Sequence, residues 1–88
     1  MLQKEILIQN KLGLHARAAA KFVKCAGRFD CDIQVGKDAM TVNGKSIIGV
    51  LLLAAPQGSR IQIIADGADE QSALEALVAL VEDRFGEE

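Results

Sequence analysis

The sequence predicts an α+β fold: a four-stranded antiparallel sheet in the order 1-4-2-3, with three helices on one face. Three observations carry this. Four short stretches show strand character, at 3–9, 32–35, 39–42 and 60–65. Two longer stretches, at 16–26 and from residue 69 onward, repeat their apolar residues at helical spacing. The 88 residues are enough for one core and too few for a second, so a single domain spanning 1–88 is expected.

From Gln3 to Gln9, Ile6 and Ile8 fall on one side and Glu5, Leu7 and Gln9 on the other, a strand with one mostly apolar face. Asn10 to Gly13 reads as a loop. In 16–26, Ala19, Phe22, Val23 and Ala26 make a core stripe, and Gly27 is a suitable stop. Asp32 to Val35 turns Ile33 and Val35 inward, Gly36 to Asp38 reads as a turn, and Ala39 to Val42 as a short return strand. Ser46 is placed to cap a short helix over 46–53, and Pro56 and Gly58 break the chain after it. Arg60 to Ala65 forms a strand with Ile61 and Ile63 inward. Asp69 is placed to cap the last helix, whose buried stripe is Leu74, Leu77, Val78, Val81 and Phe85.

The order is therefore β-α-β-β-α-β-α. A strand–helix–strand unit takes a right-handed crossover, and the third strand returns beside the second by a hairpin. The fourth then fills the gap between the first and second, antiparallel to both. Helices cover one face and water the other.

Composition removes several function classes. There is no Trp or Tyr and only three Phe, a poor basis for stacking nucleobases, and a pI near 5.3 argues against nucleic-acid binding. The longest nearly apolar run, Ile47 to Pro56, is too short to insert in a membrane. The start, MLQKEILIQN, lacks the pattern of a signal peptide, so a cytoplasmic location is expected. Cys25 and Cys31 fit no metal-ligand spacing and are expected as free thiols; no metal or cofactor is implied. The net charge of −2 hides an asymmetry. Residues 1–45 carry eight basic and four acidic side chains, whereas 46–88 carry two basic and eight acidic. The first part suits an acidic partner or an anion.

Chemistry concentrates at the one histidine, His15, where a loop meets the first helix. The first backbone N–H groups of a helix have no helical partner, and the dipole there favours an anion. The same field disfavours imidazolium, and a neutral ring nitrogen is a nucleophile. Arg17 adds a guanidinium able to grip a phosphate at two points. A surface histidine that merely begins a helix is the plainer alternative. Against it, Arg17, Lys21, Lys24 and Arg28 lie on one helix face with no acid in that helix to balance them. Such a stripe suits docking of an acidic protein. No acid–base helper for His15 is evident in the sequence, which fits a covalent carrier better than a hydrolase.

The short helix cannot bury every side of Ile47, Ile48, Val50, Leu51, Leu52 and Leu53. Some of Ile47, Ile48 and Leu51 are expected at the surface as a partner site. Ser46 is most simply an N-cap. A phosphate added there would sit on the helix dipole beside the apolar patch.

Three segments, KLGLHARAAAKFV at 11–23, NGKSIIGVLLLAAPQGS at 43–59 and ADGADEQSALEAL at 65–77, resemble the HPr family. These are the histidine phosphocarriers of the phosphoenolpyruvate-dependent phosphotransferase system, and the resemblance covers nearly the whole chain. It implies an open-faced β-sandwich. It implies that phosphorylated enzyme I passes a phosphoryl group to His15, on Nδ1, and that the carrier hands it to an enzyme IIA component in sugar transport. It implies a monomeric carrier rather than an enzyme, with Arg17 stabilising the phosphate. Arg17, Lys21, Lys24, Ile47, Ile48 and Leu51 are then expected to contact partners. Ser46 matches the serine that a dedicated kinase, HPr kinase/phosphorylase, modifies in some members. Ala18 stands where the family usually has proline, and Ala54 where glycine is common. Ala18 and the Leu-Leu-Leu-Ala-Ala run lean toward proteobacterial versions, including the nitrogen-branch paralogue. The alternative is accordingly a regulatory protein whose His15 or Ser46 state selects partners. An acyl- or metal-binding role finds no attachment motif or ligand cluster.

Overall fold

A computed structural model describes residues 1–87. The elements are β1 (Leu2–Leu7), α1 (Ala16–Ala26), β2 (Asp32–Lys37), β3 (Met40–Asn43), α2 (Ile47–Leu52), β4 (Arg60–Asp66) and α3 (Glu70–Glu82), followed by a 3-10 turn over Arg84–Gly86. The sheet order is β1-β4-β2-β3 with all pairs antiparallel, as the sequence predicts.

β4 is the keystone. Its Ile61 lies opposite Ile6 of β1, and its Ile63 and Ala65 lie opposite Val35 and Ile33 of β2. These side chains share a face by the two-residue period of a strand, and all are buried. They meet Ala18, Ala19, Phe22 and Ala26 of α1, Val50 of α2, and Ala73, Leu77, Val78 and Val81 of α3. The other sheet face carries Gln3, Glu5, Gln34 and Gln62, all exposed.

Four local expectations need correction. Gly36 and Lys37 belong to β2, not to the turn; the hairpin closes on the pair Lys37–Met40, leaving only Asp38 and Ala39 between strands. Asp38 takes a left-handed φ of 55°, which a two-residue hairpin demands and which Asp tolerates. Asp69 stands at the start of α3 but makes no capping bond. Its carboxylate instead accepts the backbone N–H groups of Asp30 and Cys31, at 2.8 and 2.9 Å. Glu70, the first residue of α3, accepts the Gly67 N–H at 3.0 Å and so braces the loop before the helix rather than capping it. In the α3 stripe Leu74 is only half-buried, and Ala73 is the buried neighbour. Phe85 is not helical at all. α3 ends at Glu82, and Arg84 and Phe85 both turn left-handed, which reverses the chain and sets the Phe85 ring fully into the core.

A further left-handed residue is Ala54, with φ 49°. A Cβ in this region costs about 1–2 kcal/mol, partly offset in a glycine variant by the freer unfolded chain. Ala54→Gly is therefore expected to stabilise the protein by about 0.5–1 kcal/mol, read as a rise in the urea midpoint.

Candidate functional site

His15 is the N-cap of α1, with extended backbone (φ −73°, ψ 178°). Its Nδ1 accepts the Arg17 backbone N–H at a long 3.4 Å. An N–H aimed at Nδ1 suits the tautomer whose ring proton is on Nε2. Nε2 faces Glu87 Oε1 at 2.8 Å, an ideal distance for N–H donating to a carboxylate. The same Oε1 accepts from Asn10 Nδ2 at 2.9 Å, and that amide also donates to the Gly13 carbonyl at 2.8 Å. Asn10 is fully buried, and its Oδ1 has no partner among the described residues.

The loop before α1 is held from below. Leu14 N–H donates to the Ala55 carbonyl at 2.8 Å, and Gly13 takes a left-handed φ of 66° against the same carbonyl. His15 thus rests on a braced loop, half-exposed, with the Ala16, Arg17 and Ala18 amides opening the helix beside it. Arg17 is exposed and makes no ion pair among the described residues. Its guanidinium is free to meet an anion.

The basic stripe is less uniform than the sequence suggests. Lys21 donates to the Phe85 carbonyl at 2.5 Å, so its ammonium ties α1 to the turn after α3. Lys24 and Arg28 remain exposed and flank a groove toward α3 floored by Ala76, Ala79 and Leu80. On the other side α1 packs against α2. There Val50 and Leu53 are buried, while Ile47, Ile48 and Leu51 are 41%, 69% and 38% exposed. Leu52, not expected at the surface, is 61% exposed. Ser46 caps α2 by accepting the Gly49 N–H at 3.1 Å and is half-buried. Cys25 and Cys31 are free thiols whose burial raises them above the usual thiol range.

Sequence reasoning missed Glu87 and Asn10: no acid beside His15 is evident in the sequence, and the structure places Glu87 there at 2.8 Å. Glu87 lies 72 residues away, and no spacing rule spans that distance. Asn10 left a trace: it continues the inward parity of Ile6 and Ile8.

Hydrogen bonds from His15 and then Asn10 hold the Glu87 carboxyl below its usual range. Backbone N–H groups do the same, chiefly that of Asp30 for Asp69 and that of Gly67 for Glu70. A carboxyl depressed in the folded state stabilises the fold above its unfolded value, and that contribution is lost as pH falls through the folded value. Stability from these three groups is thus expected to be complete above about pH 5 and to decline below about pH 4. Urea midpoints measured across this range check it; midpoints that hold steady or climb toward pH 3 would contradict it.

The comparisons with known proteins agree with this architecture. A family model described as the PTS HPr component phosphorylation site matches residues 2–83. The phosphocarrier protein HPr of Cupriavidus necator is 49% identical over 87 residues, covering 99% of this chain and 98% of that protein. The HPr-like protein Crh of Halalkalibacterium halodurans is 48% identical over 82 residues, covering 93% of this chain and 98% of its own length. The crystal structure of HPr from Thermoanaerobacter tengcongensis superposes with a TM-score of 0.97 at 49% identity, over 100% of this chain and 99% of that one. Fold and sequence together define a phosphocarrier of the phosphotransferase system. The chain belongs to the HPr family. Among the described residues no helix is long and apolar enough to cross a membrane.

Proposed function

We propose that this protein accepts a phosphoryl group from phosphorylated enzyme I on His15 and passes it to an enzyme IIA component, acting as a monomeric carrier and not as an enzyme. The observation that carries the reading is the pose of His15: an N-cap imidazole whose Nδ1 lies against the Arg17 amide at the start of α1, with an Arg17 side chain that makes no ion pair among the described residues. The Nδ1 lone pair attacks phosphorus while the bond from phosphorus to the donor breaks and its electron pair leaves with the donor. The oxygens of the bound phosphoryl group meet the helix amides, the positive end of the dipole and the Arg17 guanidinium. Ala18, standing where the family usually has proline, keeps one more N–H in this first turn.

The exposed Ile47, Ile48 and Leu51, with Arg17 and Lys24, form the docking surface that both partners share in turn, and Leu52 extends it. Lys21 is largely committed to the Phe85 carbonyl and contributes charge more than a free contact. Ser46 is a candidate for a dedicated kinase. Its Oγ already caps α2, so a phosphate there would sit on the helix start and put negative charge against the apolar patch.

A second reading is a regulatory protein, as in the nitrogen branch, whose His15 or Ser46 state selects partners without onward transfer; it is favoured by the likeness to Crh of Bacillus subtilis, described as a catabolite repression HPr. One assay separates the two. The protein, labelled by enzyme I and phosphoenolpyruvate, is mixed with IIA domains of the sugar and nitrogen branches. Loss of label from this chain to a sugar-type IIA supports the carrier in sugar uptake. Retention against every IIA supports the regulatory reading.

A further inference from the structure

The Glu87 carboxylate sits where it can govern the imidazole. It accepts from His15 Nε2 at 2.8 Å and from Asn10 Nδ2 at 2.9 Å. Asn10 is itself locked by its bond to the Gly13 carbonyl and by complete burial. Reversing the Asn10 amide would aim its oxygen at two other oxygens, so its orientation is fixed, even though its own Oδ1 goes unpartnered among the described residues. Leaving a buried amide oxygen unpaired costs stability. The buried NH2 is thus held on Glu87 against a local penalty.

Resting on the assignment of His15 as phosphoryl acceptor, we propose that Glu87, oriented by Asn10, is a positioning residue that keeps the His15 proton on Nε2 throughout the carrier cycle. Before transfer, the pair leaves Nδ1 as the only ring nitrogen with a free lone pair. During transfer the Nδ1–phosphorus bond forms, the donor–phosphorus bond breaks, and the ring becomes a cation with its Nε2–H intact. Glu87 is the counter-charge to that cation. On delivery the Nδ1–phosphorus pair returns to Nδ1. No proton enters or leaves the ring in either direction, so each half-reaction is a phosphoryl transfer alone.

Among the described residues the charged groups around the ring are few. Arg17 and Lys21 come from α1, with the Lys21 charge also acting on Glu87. Residues 47–59, which include α2 and the loop bracing Leu14, contain no charged side chain. Among the described residues Glu87 is therefore the anion that distinguishes the two ring nitrogens.

The test uses the intact chain with uniformly 15N-labelled histidine and two variants, Glu87→Ala and Glu87→Gln. Long-range proton–nitrogen correlation of the neutral ring is expected to show Nε2–H in the wild type, a mixture of tautomers in Glu87→Ala, and Nε2–H restored in Glu87→Gln, whose amide oxygen still accepts. A wild type dominated by Nδ1–H, or a Glu87→Ala spectrum identical to it, overturns the proposal. The second readout is hydrolysis of the phosphorylated protein between about pH 6 and 9. Protonated phosphohistidine is the labile form and Glu87 is its counter-charge, so the wild-type rate should persist to higher pH, with both variants about tenfold slower at the alkaline end. Superimposable profiles for all three proteins also overturn it. The tautomer result needs no partner protein. If the wild type takes no label from enzyme I, the acceptor assignment fails while the tautomer measurement still stands.

Discussion

His15→Ala is expected to take no phosphoryl group from enzyme I and phosphoenolpyruvate, where the wild type takes one that is acid-labile. The loss should be complete, because the proposed reaction needs a nucleophile and the helix amides and Arg17 supply only electrostatic stabilisation. The protein should still fold. The residue is half-exposed, and an alanine forfeits the long cap bond from the Arg17 amide, at 3.4 Å, and the 2.8 Å bond to Glu87, together about 1–3 kcal/mol. Label is read by gel mobility or mass, and the fold by its urea midpoint. Equal labelling of His15→Ala would remove His15 from the role.

Gly13→Ala should have the largest effect on stability. Gly13 has φ 66°, and a Cβ there would lie 2.4 Å from the Ala55 carbonyl oxygen and 2.9 Å from Pro56 Cα. Both obstacles are backbone, so no side chain can swing aside. Strain and overpacking together should cost about 2–5 kcal/mol, a large share of the roughly 5–15 kcal/mol that holds a domain together. The damage also reaches the chemistry. Relief of the clash must move either the Leu14–Ala55 bond or the Gly13 carbonyl that orients Asn10. We expect a lowered urea midpoint together with slower labelling of whatever remains folded. A midpoint within about 0.5 kcal/mol of wild type would show that the loop can yield.

The sheet was legible because each strand writes its burial in parity. Ile6 and Ile8, Ile33 and Val35, and Ile61 and Ile63 alternate with polar residues, and the crossover rule then leaves one gap for β4. His15 and Arg17 were legible for a related reason: helix starts obey local rules, and both lie within one turn. What stayed hidden was settled at a distance. Asp69 looks like an N-cap from its neighbours alone, yet the unpaired amides of Asp30 and Cys31, nearly forty residues earlier, take its carboxylate. Phe85 continues the helical spacing of Val78 and Val81, and only the left-handed pair Arg84–Phe85 shows that the ring reaches the core from a reversed chain. Glu87 gains its meaning from that reversal, which carries it back over the start of α1 to His15.

The position of β4 has a consequence for how the molecule comes into being. β1 bonds only to β4, pairing Leu2 with Ala65, so the first strand made waits for almost three-quarters of the chain before it finds a neighbour. During synthesis the β2–β3 hairpin and α1 can form early, but the sheet cannot close until β4 has left the ribosome. Contacts so far apart in sequence slow folding and leave a half-apolar strand without a partner in the interim. At high concentration the β4 of a second nascent copy offers β1 the same register, so the exchange of first strands between chains competes with closure within one.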